Sequence, residues 1–188
     1  QWRKTGDIGE VQTQLAEKGM ERRNFAIDQI EAVNPNYSTG LDEWRNNCQR
    51  CVPTWEMRMR GFDVEVLPKQ PDATDELWRN WRNIFDGAVW EKCSGTGNFG
   101  SSYDECRKFL EDWGDGARAE IYIQWFGGNS HVFAGQNIGG LIQFYDPQPG
   151  KSNVSNYFSE GFGVEICRID HLAPNAKWIK ECCREVTK

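Results

Sequence analysis

Cys48 in Asn47-Cys48-Gln49-Arg50-Cys51, His131 in Ser130-His131-Val132-Phe133 and Asp146 in Phe144-Tyr145-Asp146-Pro147-Gln148 are the residue types that thiol hydrolysis requires. A thiol is a weak nucleophile until a base takes its proton, and the base works best when an acid orients it. Cys, then His, then Asp in chain order therefore points to a cysteine hydrolase or acyl-transfer enzyme. His131 and Asp146 belong to adjacent strand-like runs joined by a short turn. That turn can set them side by side, Asp146 on one ring nitrogen and the other nitrogen facing the thiol. His171, in the polar junction Arg168-Ile169-Asp170-His171, is the weaker choice of base.

Cys48 stands where a helix begins. Helix N-termini present free N–H groups and a positive dipole end, which favour a thiolate and can later hold an oxyanion. An isolated Asn-Cys is more often structural than reactive; the downstream His and Asp give it weight. Asn47 and Gln148 are candidate donors to an oxyanion or a substrate. Cys48-x-x-Cys51 has two rival readings. A zinc half-site needs a second ligand pair, for which Cys182-Cys183 or a histidine would have to serve. A thioredoxin-like redox pair needs a preceding strand, and Tyr37 to Asn46 does not form one.

The elements that must position these residues follow from periodicity and punctuation. Residues 7–33 carry wide helical spacing, ended by Asn34-Pro35-Asn36. Residues 48–60 read as a helix whose Pro53 belongs to its first turn and whose Gly61 closes it. Residues 62–67 alternate as a strand, 75–90 read as a helix, 93–102 as a Gly/Ser-rich loop and 103–113 as a helix. Then 118–125, 131–136 and 141–145 form an antiparallel meander, with a further strand at 163–169 and a closing helix over 174–186. Helices first and an antiparallel sheet later make an α+β fold. Residues 1–33 read as a helical N-terminal extension and 34–188 as the catalytic domain.

The 188 residues allow a real core, and a net charge of −6 gives no bulk attraction to nucleic acid. No apolar run is long enough to span a membrane, and no signal peptide is visible. The 7 cysteines are an odd number for a disulfide scaffold, so most should be reduced and buried; the 9 tryptophans belong to cores and helix faces. The chain begins at Gln1 rather than Met, as a piece of a larger protein or a processed product would. No cofactor and no metal is expected.

The stretch from Asn46-Asn47-Cys48 through Arg60-Gly61-Phe62-Asp63-Val64, then His131-Val132-Phe133, then Asp146-Pro147-Gln148, resembles a known family. These are the papain-fold toxin domains, often described as glutamine deamidases, at the C-terminal ends of bacterial polymorphic toxins and of some phage head-protein homologues. The lead-in Asn34-Pro35-Asn36-Tyr37 is similar too, so the matching blocks span about Asn34 to Gly150. The resemblance implies a rearranged or reduced papain-like fold, with Cys48 as nucleophile, His131 as general base and Asp146 as orienting acid. Papain itself contains a Cys-x-x-Cys whose second cysteine is the nucleophile, which keeps Cys51 as the alternative. The implied reaction is deamidation of a glutamine in a protein target; the same triad serves a protease or a transglutaminase. It also implies a bacterial or phage-encoded effector acting in the cytoplasm of a target cell, delivered within a larger protein, with a cognate immunity protein. A different class remains open: a catalytically silent interaction module of a phage or mobile-element structural protein.

Overall fold

The computed structural model describes residues 30–93 and 99–186. The helix expected over 7–33 lies outside the described residues except for its end, residues 30–33, which are helical and stop at Asn34 as expected. A 3-10 turn, Pro35–Thr39, and a short helix α1, Asp42–Arg45, lead to α2, Cys48–Met59. There follow β1 (Val64–Val66), α3 (Leu77–Asn80) with a 3-10 turn over Trp81–Asn83, and β2 (Glu91–Lys92). Helix α4 (Phe99–Trp113) precedes β3 (Arg118–Trp125), β4 (Ser130–Ile138) and β5 (Leu141–Tyr145). After a 3-10 turn at Ser155–Ser159 come β6 (Gly161–Arg168), α5 (Ala176–Cys182) and β7 (Cys183–Glu185).

The main sheet is antiparallel with order β2-β6-β3-β4-β5, and β1 pairs β7 in a second, two-stranded sheet. Side chains alternate across β3. Ala119, Ile121 and Ile123 join Cys106 and Leu110 of α4 in one apolar cluster. On the other face Val132, Ala134 and Ile138 of β4 pack with Val52, Trp55 and Met59 of α2. The sheet is thus covered by α4 on one side and by the Cys48 helix on the other, a mixed α+β arrangement. Gly161 fits where β6 meets β3, because a Cβ there would lie 2.3 Å from the Gln124 carbonyl oxygen.

The meander agrees with the sequence reading, while four details differ. The helix expected over 75–90 is only α3 and its 3-10 turn. A helix would separate residues 81 and 90 by about 13.5 Å along its axis, whereas the Trp81 and Trp90 rings lie 5.1 Å apart around Arg82. Helix α4 starts at Phe99 rather than Tyr103. The closing helix ends at Cys182, and the chain turns to pair with β1, where Arg184 Nε meets Glu65 Oε1 at 2.9 Å. Pro53 lies in the second turn of α2, where it has no N–H to give the Gln49 carbonyl.

Candidate active site

Helix α2 presents Cys48 at its first helical position. The N–H groups of Cys48 and Gln49 have no acceptor within the helix, and the Asn47 side chain does not cap them. Three buried ion pairs, centred on two carboxylates, hold the helix in place. Arg50 grips Asp75 through both oxygens, at 3.1 and 2.9 Å. Glu56, fully buried, takes Arg60 Nε at 2.8 Å and Arg118 Nε of β3 at 2.6 Å.

His131 sits at the start of β4, after the tight turn in which Gly128 and Asn129 take positive φ. Its Nε2 lies 2.7 Å from Asp146 Oδ2, and Cys48 acts on the same ring electrostatically. Burial pushes the imidazolium down. The Asp146 carboxylate and the Cys48 sulfur outweigh it and raise His131 to about 10, so the ring keeps its charge at neutral pH. Trp125 stacks on the ring with centroids 5.6 Å apart. Asp146 Oδ2 also accepts the Tyr157 hydroxyl at 2.6 Å, and Oδ1 accepts the Gln148 N–H at 3.0 Å. Burial first, then Asp146 itself, push the Tyr157 phenol up, so it remains a proton donor to the carboxylate.

A cavity of about 340 Å³ opens over Cys48 and His131, with Gln49, Ser130 and Val132 in its lining. Cys48, His131 and Asp146 are therefore brought together. Asn47 and Gln148 are not among the lining residues. Asn47 turns its amide inward, donating to the Leu67 carbonyl at 3.3 Å and accepting from Asn34 Nδ2 and Cys51 Sγ, each at 3.3 Å. Gln148 is held through its backbone, its carbonyl accepting from Asn34 Nδ2 at 3.0 Å. Cys51 is fully buried; burial, then Cys48 and Asp146, push its thiol well above the ordinary value. His171 is exposed and lines a separate cavity with Arg168 and Leu172.

Sequence reasoning missed Tyr157, Trp125, Asn34 and Glu120. Tyr157 belongs to a 3-10 turn with no periodic signal, and only the fold carries it to Asp146. Asn34 was legible as a helix stop, but its bonds to Asn47 and Gln148 were not. Glu120, 2% exposed, has a buried Oε1 without a hydrogen-bond partner. Burial, then Cys48, raise its carboxyl to about 8 against the opposing pull of Arg82.

An imidazole bonded to a carboxylate and sharing a cavity with a thiol, beside helix N–H groups that have no acceptor in the helix, can move a proton and stabilise an oxyanion. Among the described residues no group of three or more His, Cys, Asp or Glu is placed to hold a metal ion, and no helix is long and apolar enough to cross a membrane. No match to the chain is found among curated proteins. A family model does match, over residues 46–151, a span that begins just before Cys48 and ends just after the Asp146 turn. More than half of the chain is covered by it, and the chain belongs to the family described as papain fold toxin 1, glutamine deamidase.

Proposed function

We propose that the protein is a thiol-dependent amidohydrolase that deamidates a glutamine side chain in a target protein, with Cys48 as nucleophile, His131 as acid and base, and Asp146 as the group that orients His131. The observation that carries this reading is the His131 ring, hydrogen-bonded to Asp146 and lining one open cavity together with Cys48. Cys48 lines that cavity, whereas Cys51 is sealed in the core and bonded to Asn47, which favours Cys48 of the two.

The Cys48 thiolate attacks the side-chain amide carbon, and the carbonyl oxygen becomes an oxyanion facing the Cys48 and Gln49 N–H groups. The imidazolium of His131 gives its proton to the amide nitrogen, which leaves as ammonia and yields a thioester. His131, now neutral, takes a proton from water; the hydroxide adds to the thioester, and the thiolate leaves glutamate behind. Asp146 keeps the ring oriented and compensates its charge throughout. The target gains one negative charge where it had a neutral donor and acceptor, enough to break a buried hydrogen-bond network. On this reading the protein acts inside a target cell and is paired with a cognate immunity protein.

The test is ammonia release from a glutamine-containing protein and from a blocked Gln-Gly peptide, with glutamate identified by mass. Cys48→Ala and His131→Ala should each lower the rate by about 10⁴-fold or more, and Asp146→Asn by less. Peptide cleavage in place of ammonia would move the assignment to a protease, and amine incorporation to a transglutaminase. Full activity in Cys48→Ala would remove the nucleophile assignment altogether.

A further inference from the structure

The cavity over Cys48 has a wall that the chemical steps leave unused. Trp78, Trp81, Arg82 and Tyr122 line it. The Trp81 and Tyr122 rings are nearly parallel, with centroids 5.8 Å apart and 23° between their planes. The Arg82 guanidinium carbon lies 4.6 Å from the Trp81 centroid, 4.4 Å from that of Trp90 and 5.3 Å from that of Tyr122. Glu165, the partner of Tyr122 in the β3–β6 register, meets Arg82 at 2.8 Å. A guanidinium stacked on rings and paired with a carboxylate is compensated as a charge but still presents a flat face. The wall is therefore aromatic and close to neutral.

It is also tied to the nucleophile helix. Asp75 accepts the Leu77 N–H at 3.1 Å, at the start of the segment that carries Trp78, and the same carboxylate is gripped by Arg50 of α2. Leu77 is buried, while Trp78 stands 59% exposed, a large apolar ring left in water in the lining of the cavity that holds Cys48. A dry cavity of about 150 Å³ holds a benzene molecule. The 340 Å³ here leaves space for a second side chain next to the glutamine.

We infer that Trp78, Trp81, Arg82 and Tyr122 form a subsite that selects a target glutamine flanked by an aromatic or other large apolar residue. The inference rests on the deamidase reading, since the cavity must first admit a glutamine. With Glu165 in place Arg82 offers no net charge to an acidic neighbour, and stacking on the rings rewards a flat or bulky apolar one.

The experiment measures ammonia release from blocked peptides in which glutamine is flanked by Gly, Phe, Leu, Asp or Lys, with the wild type, Trp78→Ala and Glu165→Gln. The wild type should favour the Phe and Leu peptides over Asp by about tenfold or more in kcat/KM. Trp78→Ala should reduce that ratio, with the loss in KM rather than kcat, and an exposed ring can be removed without threatening the core. Glu165→Gln should bare the Arg82 charge and improve the Asp peptide. Equal rates for all peptides, or an unchanged ratio in Trp78→Ala, would overturn the subsite while leaving the deamidase reading standing. No ammonia from any peptide, the Gly-flanked one included, would sink both.

Discussion

Glu120 carries a carboxyl group with one oxygen sealed from water and unbonded, on the sheet face beneath α2. In the unfolded chain it ionises in the ordinary carboxylate range. In the folded protein burial, and then the neighbouring Cys48, hold its proton up to about 8. Between those limits the folded state binds the extra proton, so its stability falls as pH rises across the window and levels off above about 8. Glu120→Gln keeps the shape and removes the titration. The variant should be more stable than the parent at pH 8 and should lose that advantage toward pH 4, as read from urea midpoints at both ends. An equal gap at both pH values would refute the assignment. His131 has the same sign over a higher window: its raised value contributes stability that is complete below its ordinary range and is lost as pH climbs through about 10.

At the scale of elements, one helix and one strand decide the site. Glu56 sits two turns along α2 from Cys48 and joins that helix to Arg118 of β3. Burial alone would raise its carboxyl; Arg118 and Arg60 outweigh that and hold it below the usual range. Its contribution is therefore present above the ordinary carboxylate range and is lost as pH falls through the folded value. Glu56→Gln leaves two buried guanidinium groups without their anion and should cost about 3–5 kcal/mol. A loss below about 1 kcal/mol in denaturant titration would show that the helix is held by apolar packing alone. The periodicity of residues 48–59 revealed this helix, yet its partner on β3 was not readable. A glutamate inside a helix looks solvated until the strand that carries its arginine is laid across it. The same holds for 75–90, where Arg82 gathers Trp81, Trp90 and Tyr122 from three segments and overrides helical spacing.

At the scale of the whole molecule, parts outside the 46–151 match complete the site. Tyr157 holds Asp146 from after that span, and Asn34 ties Asn47 to Gln148 from before it. Ile30 and Val33 are fully buried in the cluster that packs around α2. A chain starting at residue 34 gives up both side chains and should be less stable by about 3–6 kcal/mol, whereas one starting at residue 30 keeps them. Equal denaturation midpoints for the two would show that the short helix over 30–33 is dispensable.

Residue type and order were enough to single out Cys48, His131 and Asp146 as candidates, because the chain holds only 2 histidines and 7 cysteines and because Asp146 ends the strand after that of His131. The meander was legible for a related reason: alternation and glycine turns are local signals. Which cysteine opens to the cavity, which polar groups bond to Asp146 and which aromatic rings line the cavity wall were decided only by the fold. Those contacts join residues far apart in the chain, and nothing in the local sequence of Tyr157, Asn34 or Trp78 encodes the side chain that the fold lays beside it.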